Sequence, residues 1–200
     1  MTSHNNAIKI WTFNTVTKKL KYFDCPLGHI KRHINCVSID NIDEFAFCGT
    51  RSGDVLEVSL SKGIYNRSGP IDKKFKGGVN QVISKFKHLY LGTNEGIFAK
   101  VEKKGLLMSG EITFGDNAPI TALAASDNKV YCISSKSIVR SVADSGSIQN
   151  AEVFMNGHSA PIANIVFPTN FGEVFATACN DSIRMWGLAG CKELLNIELQ

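Results

Sequence analysis

The sequence predicts an all-β chain built from a repeated four-stranded unit, and three features carry that prediction. Helical periodicity is nearly absent, and short apolar segments recur with Gly, Asn, Asp and Ser between them. The recurrence also keeps a fixed period. Phe45-Ala46-Phe47-Cys48-Gly49-Thr50 resembles Leu89-Tyr90-Leu91-Gly92-Thr93, Val130-Tyr131-Cys132-Ile133-Ser134 and Val174-Phe175-Ala176-Thr177. The closing hydroxyl residues Thr50, Thr93, Ser134 and Thr177 are spaced by 43, 41 and 43 residues. Periods in this range belong to propeller blades or other stacked repeats.

A second strand follows each of these after a tight turn: Asp54-Val55-Leu56-Glu57-Val58, Gly96-Ile97-Phe98-Ala99-Lys100, Ser137-Ile138-Val139-Arg140-Ser141 and Ser182-Ile183-Arg184-Met185-Trp186. The turns Ser52-Gly53-Asp54, Asn94-Glu95-Gly96 and Asn180-Asp181 suit hairpins, because Gly, Asn and Asp tolerate the backbone angles that a hairpin demands. An apolar strand precedes each pair, as in Ile34–Ile39, Ile120–Leu123 and Ile162–Phe167, and a more polar one closes the unit, as in Lys192–Leu199. Four strands per unit fit a propeller blade better than a solenoid coil.

The beginning of the chain repeats the end of a unit. Asn5-Asn6-Ala7-Ile8-Lys9-Ile10-Trp11 follows the pattern of Asn180-Asp181-Ser182-Ile183-Arg184-Met185-Trp186, and the two Trp lie 175 residues apart, four periods of nearly 44. Residues 1–27 are therefore expected to be the end of a preceding blade, its third and fourth strands. Blades 28–69, 70–115, 116–156 and 157–200 follow. Such a chain is an incomplete propeller, a leading half-blade plus four full blades, with an unusual four-bladed ring as the alternative. Isolated, it would leave apolar blade faces open at both ends and is expected to self-associate.

The last unit opens with Gly157-His158 and reaches Ile183-Arg184-Met185-Trp186, its Trp 28 residues after that His, and so resembles a WD40 repeat. The resemblance implies a buried hydrogen-bonding network across the blade, here His158, Thr177, Asp181 and Trp186. An indole N–H or imidazole inside a packed sheet must find a partner. Asn180 competes with Asp181 for the acidic role because the turn is one residue short, and Gly187 stands where the Asp after Trp is usual. The other units are degenerate, with Val58, Lys100 and Ser141 read at the Trp position, and only Gly28-His29 repeats the opening dipeptide.

Composition narrows the function classes. Hydrophobic residues make up 44% and charged residues 20%, enough apolar content for a packed core. The 22 Lys plus Arg against 18 Asp plus Glu give a net charge of +4, a mild surplus without the dense basic runs of a dedicated nucleic-acid binder. The polar N-terminus and the lack of any apolar run of membrane-span length predict a soluble, intracellular protein with no membrane partner, in which the six cysteines are free thiols.

Reactive constellations compete poorly with structural readings. Cys25, His29, His33 and Cys36 have spacings that invite zinc, but the repeat puts Cys25 in an outer strand and Cys36 in the innermost strand of the next blade. Cys179 and His158 suggest a nucleophile pair, yet the blade network already uses His158. Gly105, Gly110 and Gly115 flank a strand and lack the Gly-Lys-Ser/Thr of a phosphate loop. No catalytic residue, cofactor or metal is expected. Basic residues cluster at Lys18, Lys19 and Lys21, at Lys31 and Arg32, at Lys73, Lys74 and Lys76, and at Lys103 and Lys104. They read as solvated strand edges that block edge-to-edge pairing, or as footing on an acidic partner, for which Lys73, Lys74 and Lys76 are the candidate patch.

Several stretches carry a more particular likeness: Leu27-Gly28-His29-Ile30-Lys31-Arg32, Cys48-Gly49-Thr50-Arg51-Ser52-Gly53-Asp54-Val55-Leu56, Ser68-Gly69-Pro70 with Lys74-Phe75-Lys76-Gly77-Gly78-Val79, and Ile165-Val166-Phe167-Pro168 through Lys192-Glu193-Leu194-Leu195. In this order they resemble the family of cilia- and flagella-associated protein 52, WD-repeat proteins of motile cilia. That resemblance implies two tandem propellers, with this chain the later part of the first. It implies a non-enzymatic scaffold on the inner wall of axonemal doublet microtubules, contacting tubulin and other axonemal proteins. A general cytoplasmic WD-repeat adaptor, actin-related or in a ubiquitin ligase, is the alternative.

Overall fold

The computed structural model describes residues 2–4, 7–145, 148, 150–170 and 172–199, which form one three-stranded and four four-stranded antiparallel sheets. The leading sheet holds β1 (Thr2–His4), β2 (Ala7–Asn14) and β3 (Lys19–Cys25). The next is β4 (Ile34–Ile39), β5 (Phe45–Thr50), β6 (Val55–Ser59) and β7 (Ile64–Gly69). Then come β8 (Val79–Lys85), β9 (His88–Thr93), β10 (Ile97–Glu102) and β11 (Leu107–Thr113). The fourth sheet is β12 (Ile120–Ala125), β13 (Lys129–Ser134), β14 (Ile138–Ala143) and β15 (Ala151–Asn156). The last is β16 (Asn164–Val166), β17 (Val174–Ala178), β18 (Ser182–Gly187) and β19 (Lys192–Glu198). Each sheet is a meander in chain order, and no sheet closes on itself.

The leading sheet differs from expectation. It has three strands, not two, because Thr2, Ser3 and His4 pair with Lys9, Ile8 and Ala7. The Asn5 and Asn6 of the recurring pattern lie outside the described residues, as does the Cys191 side chain.

The apolar runs of the second strands now have a physical reason. Strands covered on both faces read as continuous hydrophobic stretches, not as alternating ones. Leu89 and Leu91 pack with Phe47, Val55 and Val79 on one side of β9, while Tyr90 packs with Ile120, Val130 and Cys132 on the other. A third cluster joins Ile8, Ile10 and Cys25 of the leading sheet to Ala46, Cys48, Leu56 and Val58. The core is thus a row of inter-sheet layers, as stacked blades require. Burial pushes the thiols of Cys36, Cys48 and Cys132 up to about 12, so these act as small hydrophobes.

A bulge recurs at one place in every four-stranded sheet, between the third and fourth strands: at Glu57/Val58, Lys100/Val101, Val139/Arg140 and Met185/Trp186. Bulges add local twist, which curves each sheet alike. The two outermost sheets keep apolar faces open. Trp11, Phe13 and Tyr22 are exposed on the leading sheet, and Val166, Met185, Leu195 and Ile197 on the last.

Candidate functional site

The polar interior of the last sheet is the most highly connected group of side chains. Thr177, near the end of β17, and Trp186, on β18, bracket the hairpin, and the loop before β16 delivers His158 beside them. The Trp186 indole Nε1 donates to Thr177 Oγ1 at 2.7 Å, and His158 Nε2 lies 2.7 Å from the same oxygen. The Thr177 hydroxyl accepts the indole N–H. Because Ser182 Oγ and Cys179 Sγ both donate to Asp181, His158 Nδ1 carries the proton toward them and leaves Nε2 to accept from Thr177 Oγ1. That tautomer turns the His158 Nδ1–H toward Ser182 Oγ at 3.0 Å and Cys179 Sγ at 2.8 Å. The Asp181 carboxylate is 3.6 Å from Nδ1.

Asp181 closes the network. It accepts from Ser182 Oγ at 2.8 Å, from Cys179 Sγ, and from the Ser159 hydroxyl and backbone N–H. The Cys179, Ser159 and Ser182 hydrogen bonds hold its carboxyl below the usual carboxylate range. His158, Thr177 and Trp186 are buried, Asp181 half-buried and Asn180 exposed, so the structure gives the acidic position to Asp181. The four side chains named from the sequence therefore meet.

His158, Cys179 and Asp181 also form the one group of three potential metal ligands among the described residues, with ligand atoms within 4.8 Å of one another. Every one of those atoms already has a hydrogen-bond partner in the blade, and Cys179 is 5% exposed. The arrangement is chemically closed: it satisfies buried polar groups and presents no open coordination position or accessible nucleophile. Cys25, His29, His33 and Cys36 form no comparable group among the described residues: His29 and His33 are exposed, Cys25 is buried and Cys36 half-buried.

The degenerate sheets replace the network by other means. In the 34–69 sheet, Thr50 Oγ1 donates to Asp54, and Arg32 Nε pairs with that carboxylate at 3.0 Å. Asp54 is 2% exposed, so the ion pair neutralises a buried charge. His29, expected to open this blade, is exposed; Arg32 takes the inward position. The signal was present, since Thr50 and Asp54 have the same separation as Thr177 and Asp181. In the 120–156 sheet, Arg140 pairs with Asp116 at 3.1 Å and stacks on Phe114.

The bulge between the third and fourth strands locates the Trp counterparts. Trp186 directly follows it and pairs with Phe175, and Val58 directly follows it in the same way and pairs with Ala46. Lys100 lies one residue before the corresponding place and Ser141 one residue after it.

The basic patch lies on the β7–β8 connection. Lys74 and Lys76 are exposed, whereas Lys73 pairs with Glu111. Among the other clusters, Lys18, Lys19 and Lys21 are exposed around the β2–β3 turn, and Arg32 serves Asp54.

Sheets of this topology, the common bulge and the His–Thr–Trp network define the class: an incomplete WD40-type β-propeller, with a leading part-blade and four four-stranded blades. A WD40 propeller chain in the crystal structure of the mitotic checkpoint complex superimposes with a TM-score of 0.61 over 97% of this chain and 59% of that one, at 11% identity, a likeness of fold alone. No protein-family profile matches the chain. It is similar to cilia- and flagella-associated protein 52 of Chlamydomonas reinhardtii, 28% identical over 98% of this chain, and to that of Homo sapiens, 25% identical over 98%. The chain spans 32% of the length of these relatives.

Proposed function

We propose that this chain is a segment of a non-enzymatic WD-repeat scaffold of the cilium or flagellum. In this reading its propeller surfaces bind tubulin on the inner wall of doublet microtubules and contact neighbouring axonemal proteins. The observation that carries it is that similarity to the ciliary proteins extends over 98% of the chain, and so includes blades that lack a WD motif altogether. A generic repeat consensus does not produce a likeness in those degenerate blades. The site geometry supports the non-enzymatic part, because the polar cluster is closed and buried, while the rigid stack of sheets offers large surfaces. Each sheet with its preceding connection would be one blade, 28–69, 70–115, 116–156 and 157–200, after the part-blade 1–27.

The test is fractionation of the full-length protein. Tagged protein should stay with isolated axonemes through salt and detergent extraction. Charge reversal at Lys73, Lys74 and Lys76 should weaken that retention if this patch is the footing on acidic tubulin. Protein that washes out entirely would point to a soluble adaptor.

A further inference from the structure

We propose that the propeller face carrying the β8–β9 and β10–β11 turns docks an acidic peptide segment bearing an apolar side chain, organised around Phe86. This inference does not depend on where the protein resides.

Phe86 and Lys87 form the two-residue turn between β8 and β9. Such turns favour Gly, Asn or Asp, which accept a left-handed backbone. Phe86 adopts a φ of +47° and is 68% exposed. A bulky aromatic there breaks two local rules at once, backbone preference and solvent exposure. Within the fold its ring meets the Lys85 ammonium, 5.8 Å from the centroid, while most of its surface stays open, and a strained residue of this kind points to a contact beyond the fold.

Two grooves of about 500 and 470 Å³ flank the turn and share Phe86, Lys87 and His88. Their charges differ. On the Asp144 side, the carboxylate is already paired with Lys85 at 2.6 Å, and its carbonyl accepts from Lys100 Nζ at 2.8 Å. On the other side, Lys87, Lys103 and Lys104 line the groove with Glu102, and Asp40 also acts on Lys103, so three ammonium groups meet two carboxylates. Partial burial lowers the pKa of the Lys103 ammonium, whose Nζ sits 5.6 Å from the Phe47 ring centroid. An incoming carboxylate would offset that lost hydration, as an aliphatic side chain covers Phe86. The surface is distinct from Lys73, Lys74 and Lys76, which precede the start of β8, whereas Phe86 follows its end.

The experiment uses the full-length protein and fluorescence polarisation of a fluorescein-labelled peptide, glutamates flanking a central leucine. Saturable binding that weakens with added salt is expected. Combined Lys87→Glu, Lys103→Glu and Lys104→Glu should weaken it at least about tenfold. Phe86→Asn should weaken it as well while leaving thermal stability unchanged or raised, because Asn tolerates the left-handed turn. Reversal at Lys73, Lys74 and Lys76 should leave peptide affinity unchanged. Absence of saturable binding, affinity insensitive to Phe86→Asn, or equal loss from the Lys73, Lys74 and Lys76 reversal overturns the proposal. Loss of folded protein in Phe86→Asn also overturns it, since Phe86 would then serve packing.

Discussion

Substituting Gly92 by alanine probes how consecutive blades are locked together. Gly92 lies on β9 at the position before the repeated hydroxyl, and a Cβ there would fall 2.5 Å from Ile120 Cγ2 and 3.0 Å from Ile120 Cβ, on the innermost strand of the next blade. Gly49 stands at the same repeat position and meets Val79 in the same way, with a Cβ 2.8 Å from Val79 Cγ1. At both of these junctions a β-branched residue opening the innermost strand sits on a glycine of the preceding blade. Ile120 is fully buried, so it has little room to retreat. Overpacking of this kind costs about 1–3 kcal/mol. Alanine also loses less backbone entropy than glycine on folding, which returns about 0.4–1 kcal/mol. The overpacking term wins, leaving Gly92→Ala destabilising by about 0.5–2 kcal/mol. Ile120→Ala alone should cost about 2–5 kcal/mol through the cavity it leaves. In the double variant the new methyl group occupies part of that space, so the effects should sum to less than additivity by about 1 kcal/mol. Hydrogen exchange followed by mass spectrometry on peptides covering β9 and β12 in the full-length protein reads these local stabilities. Strict additivity, or a Gly92→Ala variant as protected as wild type, would refute the lock.

Other consequences are more direct. Thr177→Ala leaves the Trp186 indole and His158 Nε2 without partners and should destabilise the last blade by about 2–4 kcal/mol, with Thr177→Ser recovering most of it. Thermal unfolding checks this. Arg32→Ala strips the counter-ion from a carboxylate that is 2% exposed and should cost about 3–5 kcal/mol, read as faster exchange in β5 and β6. Asp181 is held below the ordinary carboxylate range in the folded state. Its contribution is therefore present in full above that range and fades as pH falls through and below it, and Asp181→Asn should flatten the acid side of a stability–pH profile. With thiols near 12, Cys36, Cys48 and Cys132 hold only about one thiolate in ten thousand at pH 8, so iodoacetamide should modify them only after unfolding.

The repeat was legible in the sequence because a blade is a local meander: its strands are neighbours in the chain, and each turn carries its own residues. The period of the hydroxyl residues, the four strands per unit and the meeting of His158, Thr177, Asp181 and Trp186 follow from spacings within a single unit. What failed to show in the sequence depended on the path of connections between units. His29 and Arg32 both precede β4, and only the course of that loop, set against the previous blade, turns Arg32 inward to Asp54. The bulge position sets which residue faces the Trp186 place, matching Val58 to it but shifting Lys100 and Ser141 by one residue in opposite directions, and bulges form only when the strands pair. The strained exposure of Phe86 and the fit of Ile120 over Gly92 are likewise invisible to periodicity. One is a backbone angle and the other a contact between blades, and such features exist only once the sheets have packed.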